Sequence, residues 1–331
     1  MKALIYEAPR RLVERDRPAP EAGDGEVLVR VDSVGICGSD MHAYLGHDAR
    51  RPAPLILGHE AAGVVETGPR AGARVAVNPL VSCWRCDMCL DGRPNLCPDR
   101  QIISMPPREG AFAERVAIPE RNLVEVPDAM ALTHAALAEP MAVSYHAVRL
   151  AQRALARPLP ACGAVVLGGG ALGTGAALVL RMLGVRRLWI ADTNPARRRA
   201  IETRAGFSTY DPAHDDGPEP GSAELVVDAV GAVATRRSAS RIAAPGGVVV
   251  HVGLAEAEGG LDARRMTLQE IAFVGCYTYT GVDFRETVDA LARGALGDLS
   301  WIEERPLNEG PEAFEEILDG RVAAPKTVLR P

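Results

Sequence analysis

The stretch that most constrains the fold lies at residues 164–173. Ala164-Val165-Val166-Leu167 is a short apolar run, Gly168-Gly169-Gly170-Ala171-Leu172-Gly173 supplies a Gly-x-Gly-x-x-Gly turn, and an apolar helical pattern follows to about residue 184. A strand, this turn and a helix in that order open a dinucleotide-binding βαβ unit. Gly168 permits the tight turn, Gly170 lets the backbone approach a pyrophosphate, and Gly173 lets the helix pack on the strand. Free N–H groups at the helix start, beginning at Ala171 and Leu172, hold the anion. Asp192 closes the next apolar run, where a carboxylate accepts hydrogen bonds from an adenosine ribose and repels an added 2′-phosphate. That favours NAD over NADP. Arg197 fits two readings: packing along the adenosine, or membership with Arg198 and Arg199 in a solvated helix face.

Around this turn the chain alternates. Apolar runs at 164–167, 188–191, 225–228 and 248–252 are separated by helical patterns at 171–184, 195–206 and 234–243, which predicts a parallel sheet with crossover helices. Residues 2–127 read differently, as short strands at 3–6, 26–34, 61–66, 74–77, 112–118 and 123–126 between turn residues, predicting a small barrel. A chain of 331 residues exceeds what one core usually serves, so two domains are expected. A helical pattern at 141–156 joins them, broken by Pro158 and Pro160. The expected division is 1–145, 146–280, and 281–331 returning to the first domain, with helices at 284–293 and 311–318 and a strand at 327–329. Residues 211–221, rich in Asp, Pro and Gly, read as a surface loop.

Composition excludes several classes. With 47% hydrophobic and 24% charged residues the chain is a folded globular protein, not a disordered one. A net charge of -6 supplies no basic field for nucleic acid or anionic lipid. All but two of the 37 basic residues are arginines, scattered among acids, and carry no functional weight. No apolar run reaches the roughly 18 residues of a membrane helix, and residues 1–7 lack a signal-peptide pattern, so a cytoplasmic protein is expected.

Four of the seven cysteines crowd together. Cys83, Cys86, Cys89 and Cys97 have the spacing C-x2-C-x2-C-x7-C, suited to a closed tetrahedral zinc site. A ferredoxin-type cluster would end in a shorter gap before its last Cys-Pro. A second constellation is Cys37-Gly38-Ser39-Asp40-Met41-His42, followed by Gly58-His59-Glu60. Cys and His are good zinc ligands, and catalytic sites use three protein ligands with an open fourth position, although buried core Cys and His read the same way in isolation.

Taken in order, Cys37-Gly38-Ser39-Asp40, Gly58-His59-Glu60, the four-cysteine stretch, the glycine turn and Asp192 resemble the zinc-dependent medium-chain alcohol dehydrogenase family over nearly the whole chain. Glu139-Pro140 looks like its polyol (sorbitol-type) and threonine dehydrogenase branches. The resemblance implies a GroES-like β-barrel catalytic domain, a Rossmann domain, and an active site in the cleft between them. It implies two zinc ions per chain. Cys37 and His59 would hold the catalytic one, with Glu60 or Glu139 completing the set directly or through water, and the four cysteines would hold the structural one. Ser39 and His42 would relay the hydroxyl proton, with Glu60 also placed at the catalytic centre. Leu172, Asp192, Arg197, Val252, Gly253, Leu254, Tyr277 and Tyr279 would lie beside NAD. The implied activity is oxidation of a secondary alcohol or polyol by hydride transfer, in a homodimer or homotetramer. Ala43 and Thr278 stand where sorbitol-type enzymes have tyrosine and arginine, so the hydroxyl pattern recognised is expected to differ from sorbitol's. The stretch 65–75 is shorter than the family's loop, with Ala73 at a position where aspartate is common. Two rivals share these residues: a zinc-free quinone or enoyl reductase, which the four cysteines oppose, and a zinc- and dinucleotide-binding sensor or structural protein without turnover.

Overall fold

The computed structural model describes residues 1–214 and 217–331. The chain begins with β1 (Lys2–Ala8), β2 (Arg11–Asp16), β3 (Glu26–Gly35), α1 (Gly38–Tyr44), β4 (Leu55–Ile56), β5 (Glu60–Val65), β6 (Arg74–Val77), β7 (Leu80–Val81), α2 (Asp87–Leu90), β8 (Gln101–Ile102), β9 (Arg115–Pro119) and β10 (Leu123–Glu125). Next come α3 (Leu132–Ala136), α4 (Ala138–Ala154), β11 (Gly163–Leu167), α5 (Ala171–Met182), β12 (Arg187–Ala191), α6 (Pro195–Ala200), β13 (Ser208–Tyr210), β14 (Ala223–Asp228), α7 (Val233–Ile242), β15 (Ala243–His251), α8 (Ala263–Leu268) and β16 (Ala272–Gly275). The last elements are α9 (Gly281–Ala292), β17 (Ile302–Pro306), α10 (Gly310–Leu318) and β18 (Lys326–Arg330).

β3 is the hub of the N-terminal domain. Val27, Val29 and Val31 alternate inward, the period-two pattern of a strand with one buried face. It pairs antiparallel with β5, β9 and β18 in a sheet of order β10-β6-β5-β3-β18-β17. The shortened stretch 66–73 turns β5 into β6 through Gly68 and Gly72, both at positive φ. The final strand therefore rejoins the beginning of the chain, and this closure sets Lys326 beside the site described below.

The second sheet is wholly parallel, in the order β13-β12-β11-β14-β15-β16. Every residue of β11 is buried, as expected for a strand covered on both faces. The chain runs outward from β11 through β12 to β13, then restarts at β14 on the other side. A crevice opens where the direction reverses, at the carboxyl ends of β11 and β14.

Several elements differ from the pattern reading. The expected boundary at 145/146 falls inside α4, which runs unbroken because its only proline, Pro140, sits in the first turn where a missing N–H is tolerated. The helix expected at 195–206 continues past α6 only as a widened π-type turn, Ile201–Ala205, and Gly206 ends it in the left-handed region. β9 starts later than the expected 112, and β15 starts earlier than the expected 248. Between β13 and β14 the described residues form no helix or strand; positions 215 and 216 of the expected loop lie outside the described residues.

Candidate functional site

The centre is built around the short helix α1. Cys37 is its N-cap, and the Asp40 carboxylate accepts the Cys37 N–H at 3.0 Å, so the helix entry itself orients both side chains. Glu60 opens the neighbouring strand β5, and His59 immediately precedes it. One ligand atom each from Cys37, His59 and Glu60 lies within 4.8 Å of the others. Asp40 is fully buried and also accepts the Gly58 N–H at 3.2 Å. Its Oδ1 stands 3.4 Å from His59 Nδ1, with Ser104 Oγ 3.3 Å from the same nitrogen. The opposite nitrogen, Nε2, faces Ser39 Oγ at 3.5 Å. A carboxylate behind an imidazole fixes the ring and raises its basicity, the usual support of a metal-ligating histidine. His42 is exposed one turn after Ser39, in the last turn of α1.

Two carboxylates close the cluster, and they differ. Glu60 is fully buried and receives both its oxygens' hydrogen bonds from Lys326 Nζ, at 2.7 and 2.6 Å. The ammonium also donates to the Ile36 carbonyl at 2.7 Å. Burial alone would depress the lysine's pKa; the Glu60 charge outweighs it and holds Lys326 protonated. Glu139, in the first turn of α4, accepts a 3.0 Å bond from the Tyr279 hydroxyl. Burial, helped by the nearby Glu60 charge, pushes Glu139 up to about 7 against the pull of His59 and Tyr279. The Cys37 thiol, the His59 imidazole and the Glu60 carboxylate form a donor set that suits a catalytic zinc, and the Glu139 carboxylate stands outside that close group.

The second cluster sits on a lobe between β7 and β8. The four sulfurs of Cys83, Cys86, Cys89 and Cys97 lie within 4.8 Å of one another, and Cys83 and Cys97 Sγ are 3.4 Å apart. Amides of Arg85 and Cys86 help bring Cys83 down to about 6, whereas burial pushes Cys89 up to about 12. Four thiolates that close repel one another unless a cation sits among them, and this set fits a closed structural zinc.

The glycine turn lies at the crevice of the parallel sheet. Gly168 has φ +95°, and a Cβ on Gly173 would meet the Gly168 carbonyl oxygen at 1.7 Å, so neither position accepts a side chain. Nothing lies within 4 Å of a Cβ built on Gly170, which leaves open the space a pyrophosphate needs. Ala171 and Leu172 open α5. Asp192 Oδ2 accepts the Gly169 N–H and Oδ1 the Asn194 N–H, each at 2.8 Å. Arg197 Nη1 stands 3.7 Å from Asp192, and its buried Nε has no hydrogen-bond partner among the described residues. Val252 and Gly253 follow β15, their N–H groups bonded to the Asp228 carbonyl, and Leu254 is exposed. Of the two tyrosines expected beside the cofactor, Tyr279 is wholly buried with its hydroxyl on Glu139, and Tyr277 meets Arg100 and Asn95 of the lobe.

Sequence reasoning missed Asp40 as the support of His59, Lys326 as the counter-charge of Glu60, and the lobe residues Asn95 and Arg100. One signal was available for Lys326. In a chain whose cations are otherwise almost all arginine, a lone lysine in an apolar terminal strand marks a place that takes a slim point charge and not a guanidinium.

Comparison with known proteins agrees with this geometry. The description "Alcohol dehydrogenase GroES-like domain" matches residues 23–128, and "Zinc-binding dehydrogenase" matches residues 171–293. The L-galactonate-5-dehydrogenase of Escherichia coli strain K12 is 33% identical over 336 residues, covering 97% of this chain and 96% of the relative. The sorbitol dehydrogenase of Bacillus subtilis strain 168 is 29% identical over 350 residues, covering 100% and 97%. A protein from Sinorhizobium meliloti 1021, solved with NADP bound, superposes with a TM-score of 0.87 at 29% identity, covering 100% of this chain and 99% of that one. With two domain descriptions in the right order and a third of its residues shared with a full-length relative, the chain belongs to the zinc-dependent medium-chain alcohol dehydrogenases, on their polyol branch.

Proposed function

We propose that this chain oxidises a secondary hydroxyl flanked by further hydroxyls, in a polyol or sugar acid, to the ketone, with NAD as hydride acceptor. The observation that carries the reading is the Cys37, His59 and Glu60 cluster, with Glu139 held by Tyr279 near enough to His59 and Glu60 to feel their charges. Cys37, His59 and one of the two glutamates would hold the catalytic zinc, and the four lobe cysteines the structural one. When bound, the catalytic zinc supplies Lewis-acid polarisation of the substrate oxygen. The protein's own contribution is placement and proton handling. Asp40 holds His59 in one orientation through Nδ1. Ser39 Oγ, on the other side of that ring at 3.5 Å from Nε2, would pass the substrate's hydroxyl proton toward the cofactor ribose and His42. Both Glu60 oxygens are already taken by Lys326, so it is the buried Glu139 carboxylate, whose Oε1 Tyr279 holds, that favours a ligand with an extra hydroxyl donor.

Asp192 supports NAD over NADP: two backbone N–H groups aim its carboxylate at the end of β12, where a 2′-phosphate would meet a like charge. Homodimers or homotetramers fit the family resemblance. Seven free thiols fit a reducing compartment such as the cytoplasm, and among the described residues no helix is long and apolar enough to cross a membrane. The test is NAD reduction over 2,3-butanediol, tetritols to hexitols and aldonic acids, beside 2-butanol. A hydroxyl-rich substrate should give the higher kcat/KM. If 2-butanol outperforms all of them, an apolar-pocket alcohol dehydrogenase replaces the polyol reading, and no NADH from any substrate in zinc-loaded protein would favour the non-catalytic one.

A further inference from the structure

One set of contacts outside the metal ligands and the glycine turn ties the lobe to the loop between β16 and α9. Arg100 Nη1 donates to the carbonyl of Cys97, a lobe thiol residue, at 2.8 Å. Its Nε donates to the Tyr277 hydroxyl at 3.2 Å, and its guanidinium carbon lies 4.8 Å from the centre of the Tyr277 ring. Asn95, also on the lobe and buried, donates to the Tyr277 carbonyl at 2.8 Å. The next residue, Thr278, has φ +48°, and its buried Oγ1 has no hydrogen-bond partner among the described residues. A β-branched residue takes that conformation only where its surroundings impose it. Tyr279 follows, wholly buried, with its hydroxyl on Glu139. Direct contacts thus run from the Cys97 backbone through Arg100, Tyr277 and strained Thr278 to the carboxylate beside Cys37 and His59.

We propose that Arg100 is a positioning residue that latches the four-cysteine lobe onto the Tyr277 to Tyr279 segment, so that metal loading of the lobe sets where Tyr279 holds Glu139. This rests on reading the four cysteines as a metal lobe and the Glu139 cluster as the active site. Arginine suits the task because one planar group both bonds the Cys97 carbonyl and lies against the tyrosine ring. Released from the latch, Thr278 relaxes out of the left-handed region and carries Tyr279 with it.

The test uses the full-length, zinc-loaded protein and reads amide hydrogen exchange at 276–281 and 83–100, zinc content, and kcat separately from KM. Arg100→Lys should keep both zinc ions and the protection of 83–100, while exchange at 276–281 rises by roughly tenfold or more, the factor one hydrogen bond to a charged group is worth. Tyr277→Phe keeps the ring and should rise less. Both should lower kcat, Arg100→Lys with little change in NADH affinity, and the double variant should fall no further in kcat than Arg100→Lys alone. Partial removal of the lobe zinc from the wild type by a chelator should loosen 276–281 in the same way. Unchanged exchange there in both variants, additive losses in kcat, loss of the lobe zinc from either variant, or a wild type that stays protected at 276–281 after lobe demetallation would each overturn the latch. Loosened exchange in a protein that reduces NAD with no alcohol would sustain the latch and sink the proposed function instead.

Discussion

At the scale of single residues, the chemistry most legible in the sequence was that whose partners lie close along the chain. The cysteine spacing and the glycine turn are local, and the structure brings the four thiols together and leaves the Gly170 side open. Asp40 and Lys326 were not legible as partners, because their roles depend on contacts across folded distance; Lys326 and Glu60 are 266 residues apart. Two residues carry direct tests. Asp192→Ala removes the carboxylate that opposes a 2′-phosphate, so the ratio of kcat/KM for NAD over NADP should drop toward or below one; a wild type that already prefers NADP would refute the assignment. Ser39→Ala removes the hydroxyl nearest His59 Nε2 and should cost on the order of 10² to 10⁴ in kcat, the range for a lost proton-transfer group, with zinc content intact. Unchanged turnover at saturating substrate would take Ser39 out of the relay, and lost zinc would make its role structural.

At the scale of elements, apolar periodicity gave the parallel strands and their helices, since buried strands and amphipathic helices write different periods. Short polar elements escaped it. α1 has seven residues and is held by a cap made of its own site residues, so its motif read as chemistry before it read as helix. The cap of α9 shows the same economy and sets a pH dependence. Asp283 accepts bonds from Thr280 N, Thr280 Oγ1 and His146 Nδ1 at 3.0, 2.6 and 2.8 Å. Burial pushes its pKa up, but the bonds from His146 and Thr280 prevail and hold it below the ordinary 3.8. A carboxylate lowered on folding stabilises above its unfolded pKa and loses that contribution as pH falls through the folded value. Asp283→Asn should therefore weaken the protein at neutral pH and flatten the acid limb of its stability curve below about pH 4; parallel acid limbs for variant and wild type would contradict this. The lobe is testable on its own: wild-type protein should hold about two zinc ions per chain, and Cys89→Ser about one, with a lower Tm. A brown protein with iron and sulfide would replace zinc in the lobe.

At the scale of the whole molecule, the chain closes on itself through charge as well as through strands. β18 pairs with β3, and that pairing carries Lys326 into a fully buried pocket against Glu60. The expected return of 281–331 to the first domain and the lone lysine in its last strand pointed this way, but a terminal strand shows its own apolar pattern and not the strand it will join. The pair adds little stability over an apolar substitute of the same shape, since the desolvation of two ions offsets most of their attraction. Breaking it is another matter. Lys326→Met leaves the buried Glu60 carboxylate without a counter-charge, which should cost about 3–5 kcal/mol. Adding Glu60→Gln removes the orphaned charge, so the double variant should recover a substantial part of that loss, measured as the denaturant midpoint of metal-free protein to keep zinc affinity out of the comparison. If the single variant is as stable as the wild type, the lysine is not what holds the chain's end to its active centre. If the double variant is no more stable than Lys326→Met, packing of the lysine stem and its bond to the Ile36 carbonyl, and not the ion pair, closes the molecule.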